Sequence, residues 1–105
     1  MGTGNGKYNG WTNYETWNVH LWLTNEEGSY NHWRERAAEW RDEPSTSEHW
    51  TQEQSARFNL ASELKAEISE AADETTTVTG MFKDLLTASL QSVDYNEIAE
   101  AFLED

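Results

Sequence analysis

An apolar stripe runs along residues 48–72, a stretch that contains neither glycine nor proline. Its positions at seven-residue spacing are Trp50, Arg57, Leu64 and Ala71. Ala61 and Ile68 fill the row between them, which is the pattern of a helix that packs against other helices in a bundle. The sequence therefore predicts one long helix from about Glu48 to Ala72.

Shorter helices are predicted by the residues that can cap them. Thr12–Glu15 and Asp94–Glu97 have the spacing of a capping box, in which two side chains satisfy free amide groups of the first helical turn. Ser29 is a good N-cap for another helix, and Thr79 or Gly80 opens a further one. The β-branched run at residues 75–79 has no partner strand, so it is predicted to be a loop. The four shorter helices then end near residues 25, 41 and 92 and at the C-terminus.

These patterns predict an all-α protein. At 105 residues the chain is the size of one domain with one core. We expect a flexible glycine-rich arm over residues 1–10 and a single small bundle of four to five helices over residues 11–105. The expected core residues are Trp17, Trp22, Trp33, Trp40, Leu64, Ile68, Phe82, Leu86, Ile98 and Phe102.

The chain is strongly acidic, with twenty Asp and Glu against seven Lys and Arg and a formal net charge of −13. Residues 58–105 hold eleven of the acids and only two lysines. Such a field repels phosphate backbones and anionic lipid surfaces, so no direct binding to nucleic acid or membrane is expected. The sequence also lacks an apolar run of roughly 20 residues and the features of a signal peptide, which predicts a cytoplasmic protein.

The sequence shows none of the usual arrangements for catalysis or metal binding. The absence of cysteine excludes disulfides, thiolate nucleophiles and cysteine-rich zinc sites. His20, His32 and His49 fall on different helices or their ends, without the spacing of a metal site. We therefore expect no metal, no cofactor and no enzyme activity, unless folding brings two carboxylates together as an acid and base pair.

Two acidic stripes are the first candidate for a functional surface. Their members are Glu63, Glu67, Glu70, Asp73 and Glu74 in the third helix and Glu97, Glu100 and Glu104 in the fifth. Like charges three or four residues apart destabilise a helix by roughly 0.2–0.5 kcal/mol per pair. Recognition of a basic protein surface would explain that cost. A solvated acidic face that only aids solubility is the competing interpretation.

Three segments carry a resemblance to a known group of proteins. They are YNGWTNYETWNVHLW at residues 8–22, SYNHWRERA at 29–37 and SVDYNEIAE at 92–100. The chain resembles small proteins of bacteriophages and other mobile elements that share an N-terminal NYETWNV signature. The resemblance implies a setting among phage or plasmid accessory genes and assigns no catalytic residue.

The signature itself contains an alternative protein-binding surface. Capping explains Thr12 and Glu15, but it leaves the polar side chains of Asn13, Thr16 and Asn18 without a role. These three residues lie near Trp11 in the sequence, and exposed Trp side chains often anchor protein contacts. Trp11, Asn13, Thr16 and Asn18 are therefore the alternative site.

Charge and setting together lead to a functional expectation. Small acidic proteins of mobile elements often inhibit host defence, so this setting and the charge together favour an anti-CRISPR or anti-restriction protein. It would occupy the basic nucleic-acid-binding surface of a host nuclease, with carboxylates in place of phosphates. The alternative is a small structural or regulatory protein-interaction module without such mimicry.

Overall fold

The computed structural model describes residues 8–45, 48–75 and 80–104. Within these ranges the chain forms five helices and no β-strand, which confirms the predicted all-α class. The helices are α1 (Tyr14–Asn25), α2 (Glu27–Asp42), α3 (Gln52–Thr75), α4 (Met81–Gln91) and α5 (Tyr95–Glu104). Residues 1–7 of the predicted arm and residues 76–79 of the predicted loop lie outside the described residues.

The hydrophobic core lies between α2, α3 and α5. Leu60 and Leu64 of α3 and Ile98 of α5 have no exposed surface, and α3 and α5 make the most extensive contact of any helix pair. Trp33 and Ala37 close the core from α2. Burial of each large apolar side chain stabilises the fold by about 1.5–3 kcal/mol, so these three helices provide the main stabilisation.

Helix α1 covers one side of this core by packing on α2 and α5. A tight turn at Asn9–Gly10 precedes it, with paired backbone hydrogen bonds of 2.7 Å between Tyr8 and Trp11. Both turn residues have positive φ, which Asn and Gly adopt more readily than other residues. The Tyr8 ring packs against Trp17, so this turn contacts helix α1.

The observed N-caps differ from the predicted ones. Asn13, not Thr12, caps α1, because its Oδ1 accepts a hydrogen bond from the Thr16 backbone N–H. α2 begins before Ser29, whose hydroxyl donates to the Leu23 carbonyl instead of capping. Helix α3 begins at Gln52 and not at Glu48.

The late start of α3 follows from a capping box that we did not predict. The Thr51 hydroxyl accepts from the Gln54 N–H, and the Gln54 side chain accepts from the Thr51 N–H. The two residues have the Ser/Thr-x-x-Glu/Gln spacing that defines this motif. The sequence therefore did contain the signal for this helix boundary.

The predicted core is correct at its centre and wrong at two positions. Trp33, Leu64, Ile98 and Phe102 are buried as expected. The half-buried members are Trp17, Trp40, Ile68 and Leu86. Trp22 is 67% exposed and Phe82 is 62% exposed. Most of the Trp22 side chain is in solvent, and α4 has no buried residue at all. No described helix has both the length and the apolar composition needed to span a membrane.

Candidate protein-binding surfaces

Glu63, the first residue of the predicted acidic stripe, is bound within the fold. Its carboxylate receives two hydrogen bonds from the Arg36 guanidinium, at 2.7 and 3.1 Å, and a third from the Trp40 indole N–H at 2.7 Å. The Glu63 side chain is only 22% exposed. Glu63 therefore links α3 to α2 and is not free to replace a phosphate group.

The pKa of Glu63 reflects these contacts. Burial raises the pKa, but the hydrogen bonds from Arg36 and Trp40 and the positive charge of Arg36 outweigh burial and hold it below the ordinary value. A side chain whose charge is satisfied in this way stabilises the folded state. Trp40 supplied the missed sequence signal, because a partly buried indole N–H needs an acceptor.

The rest of the α3 stripe is more exposed. Glu67 lies 3.4 Å from the His32 side chain of α2, and both side chains are about half exposed. Glu70, Asp73 and Glu74 are exposed and form no ion pair or side-chain hydrogen bond within the described part of the chain. These last three carboxylates form the free acidic cluster at the C-terminal end of α3.

The α5 carboxylates lie elsewhere. Glu97 accepts a 3.0 Å hydrogen bond from the Thr12 backbone N–H, so it belongs to the junction with α1. Glu100 lies 3.4 Å from Arg57 near the start of α3. Glu104 shares a surface depression with Glu100, Arg41 and Arg57.

The two predicted stripes therefore do not form one surface. Helices α3 and α5 run antiparallel, because Glu100 pairs with Arg57 while Tyr95 lines a cavity with Lys65. The C-terminal end of α3 extends past the start of α5, away from Glu100 and Glu104. The sequence predicted both stripes, but only the tertiary packing determines whether they meet.

The signature residues Asn13 and Thr16 have an internal role. The Asn13 side chain donates to the Ser92 carbonyl at 2.7 Å, and its oxygen accepts from the Thr16 hydroxyl at 2.6 Å. The Thr16 hydroxyl in turn accepts from the Asp94 N–H at 2.9 Å. Thr16 has no exposed surface, so it cannot contact a partner while this junction is closed.

The remaining residues of the alternative site differ in exposure. The half-buried Trp11 ring packs on His20, with ring centres 4.4 Å apart, and Asn18 is half-buried on α1. The more accessible aromatic side chains of this region are Tyr14 and Trp22, which are 50% and 67% exposed. Exposed aromatic side chains are therefore present on α1, and the two most exposed, Tyr14 and Trp22, were not among the residues predicted for the alternative site.

Helix α4 presents an apolar surface that the sequence did not lead us to expect. Met81, Phe82 and Leu85 lie on one side at spacings of three and four residues, and each is more than half exposed. Leu86 and Leu90 face α3, where they line a cavity with Asp73. The exposed apolar face of α4 and the free acidic cluster of α3 are therefore at the same end of the molecule.

The described residues contain no group of three His, Asp or Glu side chains placed to hold a metal ion. The raised pKa of Tyr95 is caused by burial of its hydroxyl. The pKa of Glu63 is lowered by partners within the fold.

Comparison with known protein families gives a match over almost the whole chain. Residues 4–104 match DUF7249, which is described as a family of unknown function. Comparisons with curated proteins and with solved structures gave no match. The function therefore has to be argued from the surfaces themselves.

Proposed function

The chain belongs to the DUF7249 family, and from its surfaces we propose that it is a protein-binding accessory protein and not an enzyme. The observation that carries this proposal is the exposed apolar face of α4, at the same end of the molecule as the free acidic cluster Glu70, Asp73 and Glu74, of which Asp73 lines the cavity between the two helices. Contiguous exposed apolar residues with a polar rim are typical of protein interaction sites. An acidic rim selects a partner whose own apolar patch is surrounded by basic residues.

Charge favours such a basic partner over a second copy of the chain. Residues 58–105 contain eleven acids and two lysines, a net charge of −9. A symmetric dimer through α4 would bring two of these halves together, and like charges in contact oppose association. The same field opposes direct binding to nucleic acid.

The second part of the proposal concerns where the protein acts and which class of protein it binds. The resemblance of the N-terminal signature to phage and mobile-element proteins supports a role in the host cytoplasm. There the protein inhibits a host defence nuclease of the CRISPR or restriction type by occupying its nucleic-acid-binding surface. In this proposal Glu70, Asp73 and Glu74 replace phosphates, and Phe82 and Leu85 add apolar contact. Glu63 and Glu97 are not part of the interface, because the fold already uses their carboxylates.

The test begins with the immobilised protein and a host lysate at low salt, followed by identification of what is captured. The proposal requires a nucleic-acid-binding protein that is released by competing double-stranded DNA. It also requires affinity to fall as salt rises, because screening acts over a Debye length of roughly 8 Å at physiological ionic strength.

Two charge-reversal variants then locate the surface. Replacing Glu70, Asp73 and Glu74 by Lys should abolish capture, whereas the same replacement at Glu26, Glu35 and Glu43 should preserve it. All six side chains are exposed, and both variants change the net charge by the same amount. Equal capture by both variants would contradict the proposal, since net charge alone would then explain binding.

The alternative is a protein-interaction module without nucleic-acid mimicry, and the exposure of Trp22 favours it. Tyr14 and Trp22 lie on α1, which has no unpaired acidic cluster comparable to that of α3 in the described ranges. This interface would be anchored by aromatic burial and would be little affected by salt. Loss of capture in Trp22→Ala, with unchanged capture by the α3 variant, would favour this alternative.

A further inference from the structure

A cavity of about 360 Å³ lies between the C-terminal half of α3 and helix α4. Pockets for small ligands commonly have volumes of about 300–1,000 Å³, so this one is large enough for a small molecule. Its apolar wall includes Leu86, Leu90 and Val93, and its polar wall includes Ser69, Thr87 and Gln91. The mixture of an apolar wall and a few polar groups is typical of ligand sites.

The charge of this cavity is opposite to that of its surroundings. Lys65 and Lys83 both line it, and they are the only two basic residues among residues 58–105. Neither lysine side chain forms an ion pair or hydrogen bond with another described residue. Asp73 is the one carboxylate among the described lining residues, so two lysines and one carboxylate line the cavity.

A second observation concerns Tyr95, which also lines this cavity. Its hydroxyl is buried and has no hydrogen-bond partner among the described residues, a condition that costs about 1–3 kcal/mol for a buried polar group. Burial raises the pKa of Tyr95, so the hydroxyl remains protonated. The hydroxyl oxygen has less than 1 Å² of accessible surface, so it lies behind the cavity wall, and other atoms of Tyr95 form the lining.

We propose that this cavity binds a small organic anion, with a phosphate or carboxylate group between Lys65 and Lys83 and an apolar body against Leu86 and Leu90. This site uses the side of α4 that faces α3, so it does not depend on the protein interface proposed above. Bound ligand would join α4 to α3 more firmly than the protein contacts alone.

The test is a titration of the ¹⁵N-labelled full chain with phenyl phosphate, followed by NMR. Saturable shifts should be confined to residues that line the cavity, including Lys65, Thr87 and Tyr95, with a Kd on the order of 1 mM for so small a probe. Phenylacetate in a parallel titration distinguishes a carboxylate from a phosphate ligand. Phenol has the apolar ring without the anionic group, and inorganic phosphate has the anionic group without the ring. Each should therefore bind at least about tenfold more weakly than phenyl phosphate.

Lys65→Gln and Lys83→Gln should each lower the affinity for phenyl phosphate by about tenfold, since each removes one charge-assisted contact. Arg57→Gln is the matched control, because it removes one positive charge from α3 outside this cavity. The lysines are exposed, and unchanged circular dichroism will verify folding. Three results would overturn the proposal: absence of saturable shifts for both anions, equal affinity for phenol, or equal weakening by Arg57→Gln.

Discussion

The Thr16 hydroxyl accepts a hydrogen bond from the backbone N–H of Asp94, 78 positions later in the chain. The same hydroxyl donates to Asn13, which itself donates to the Ser92 carbonyl, so three hydrogen bonds among four residues join the start of α1 to the start of α5. Asp94 also accepts from the Glu97 N–H as the N-cap of α5. The signature thus holds together two helix N-termini.

Thr16→Val should therefore destabilise the protein by roughly 1–3 kcal/mol, because it keeps the shape but leaves the Asp94 N–H without its acceptor and removes one of the two hydrogen bonds to the Asn13 oxygen. Urea denaturation followed by tryptophan fluorescence measures this change. Thr24→Val is the matched control, since the Thr24 hydroxyl only donates to carbonyls of its own helix. It should shift stability by less than about 0.5 kcal/mol. Equal effects of the two substitutions would contradict the role given to Thr16.

Local signals in the sequence were sufficient for the helices but not for the contacts between them. The Asp94 cap and the α3 stripe predicted α5 and α3, because capping and periodicity depend on near neighbours. The partners of Glu63 and Thr16 are 27 and 78 residues away, so no local pattern reveals them. Whether Glu70 remains free likewise depends on which helices pack against α3.

Local sequence patterns also could not predict which tryptophan side chains are buried. α1 is apolar around much of its circumference, so its sequence does not show which side faces the core. Trp22 and Trp33 were both expected in the core, yet only Trp33 is buried. A helix with apolar residues on several sides is oriented by its neighbours, and that information is not present in the helix itself.

The two tryptophans give a direct comparison. Trp33→Ala should cost roughly 3–5 kcal/mol, because it leaves a cavity between α2, α3 and α5. Trp22→Ala should cost less than about 1 kcal/mol, because two-thirds of that side chain is already in solvent. Thermal unfolding monitored by circular dichroism measures both variants. A large loss for Trp22→Ala would mean that α1 packs differently.

The Tyr95 hydroxyl should contribute nothing to folding stability. It is buried without a partner, so Tyr95→Phe removes an unsatisfied group while the ring remains in place. We expect the free energy of unfolding of the unliganded protein to stay constant or to rise by up to about 1 kcal/mol. Thr16→Val, which also removes one buried hydroxyl, provides the contrast. A loss of more than about 1 kcal/mol in Tyr95→Phe would reveal a partner for this hydroxyl.

The contact between Glu63 and Arg36 should make part of the stability depend on pH. The pKa of Glu63 is lowered in the folded protein, so its charge stabilises the fold above the ordinary pKa of 4.5. This contribution is lost as the pH falls below 4.5 and through the folded-state pKa, where the carboxylate becomes protonated. Glu63→Gln should cost roughly 1–3 kcal/mol at pH 7, since the hydrogen bonds from Arg36 and Trp40 then lose their charged acceptor.

The measurement is the difference in unfolding free energy between the natural protein and Glu63→Gln, from urea titrations at several pH values between 7 and 3. Taking the difference removes the contribution of the other acidic residues, which are common to both proteins. The gap should be largest near pH 7 and should shrink below pH 4.5. Glu67→Gln, one turn further along α3 and about half exposed, should show a gap under about 0.5 kcal/mol. A Glu63→Gln gap that persists unchanged at pH 3 would mean that packing, and not the charge of Glu63, links α3 to α2.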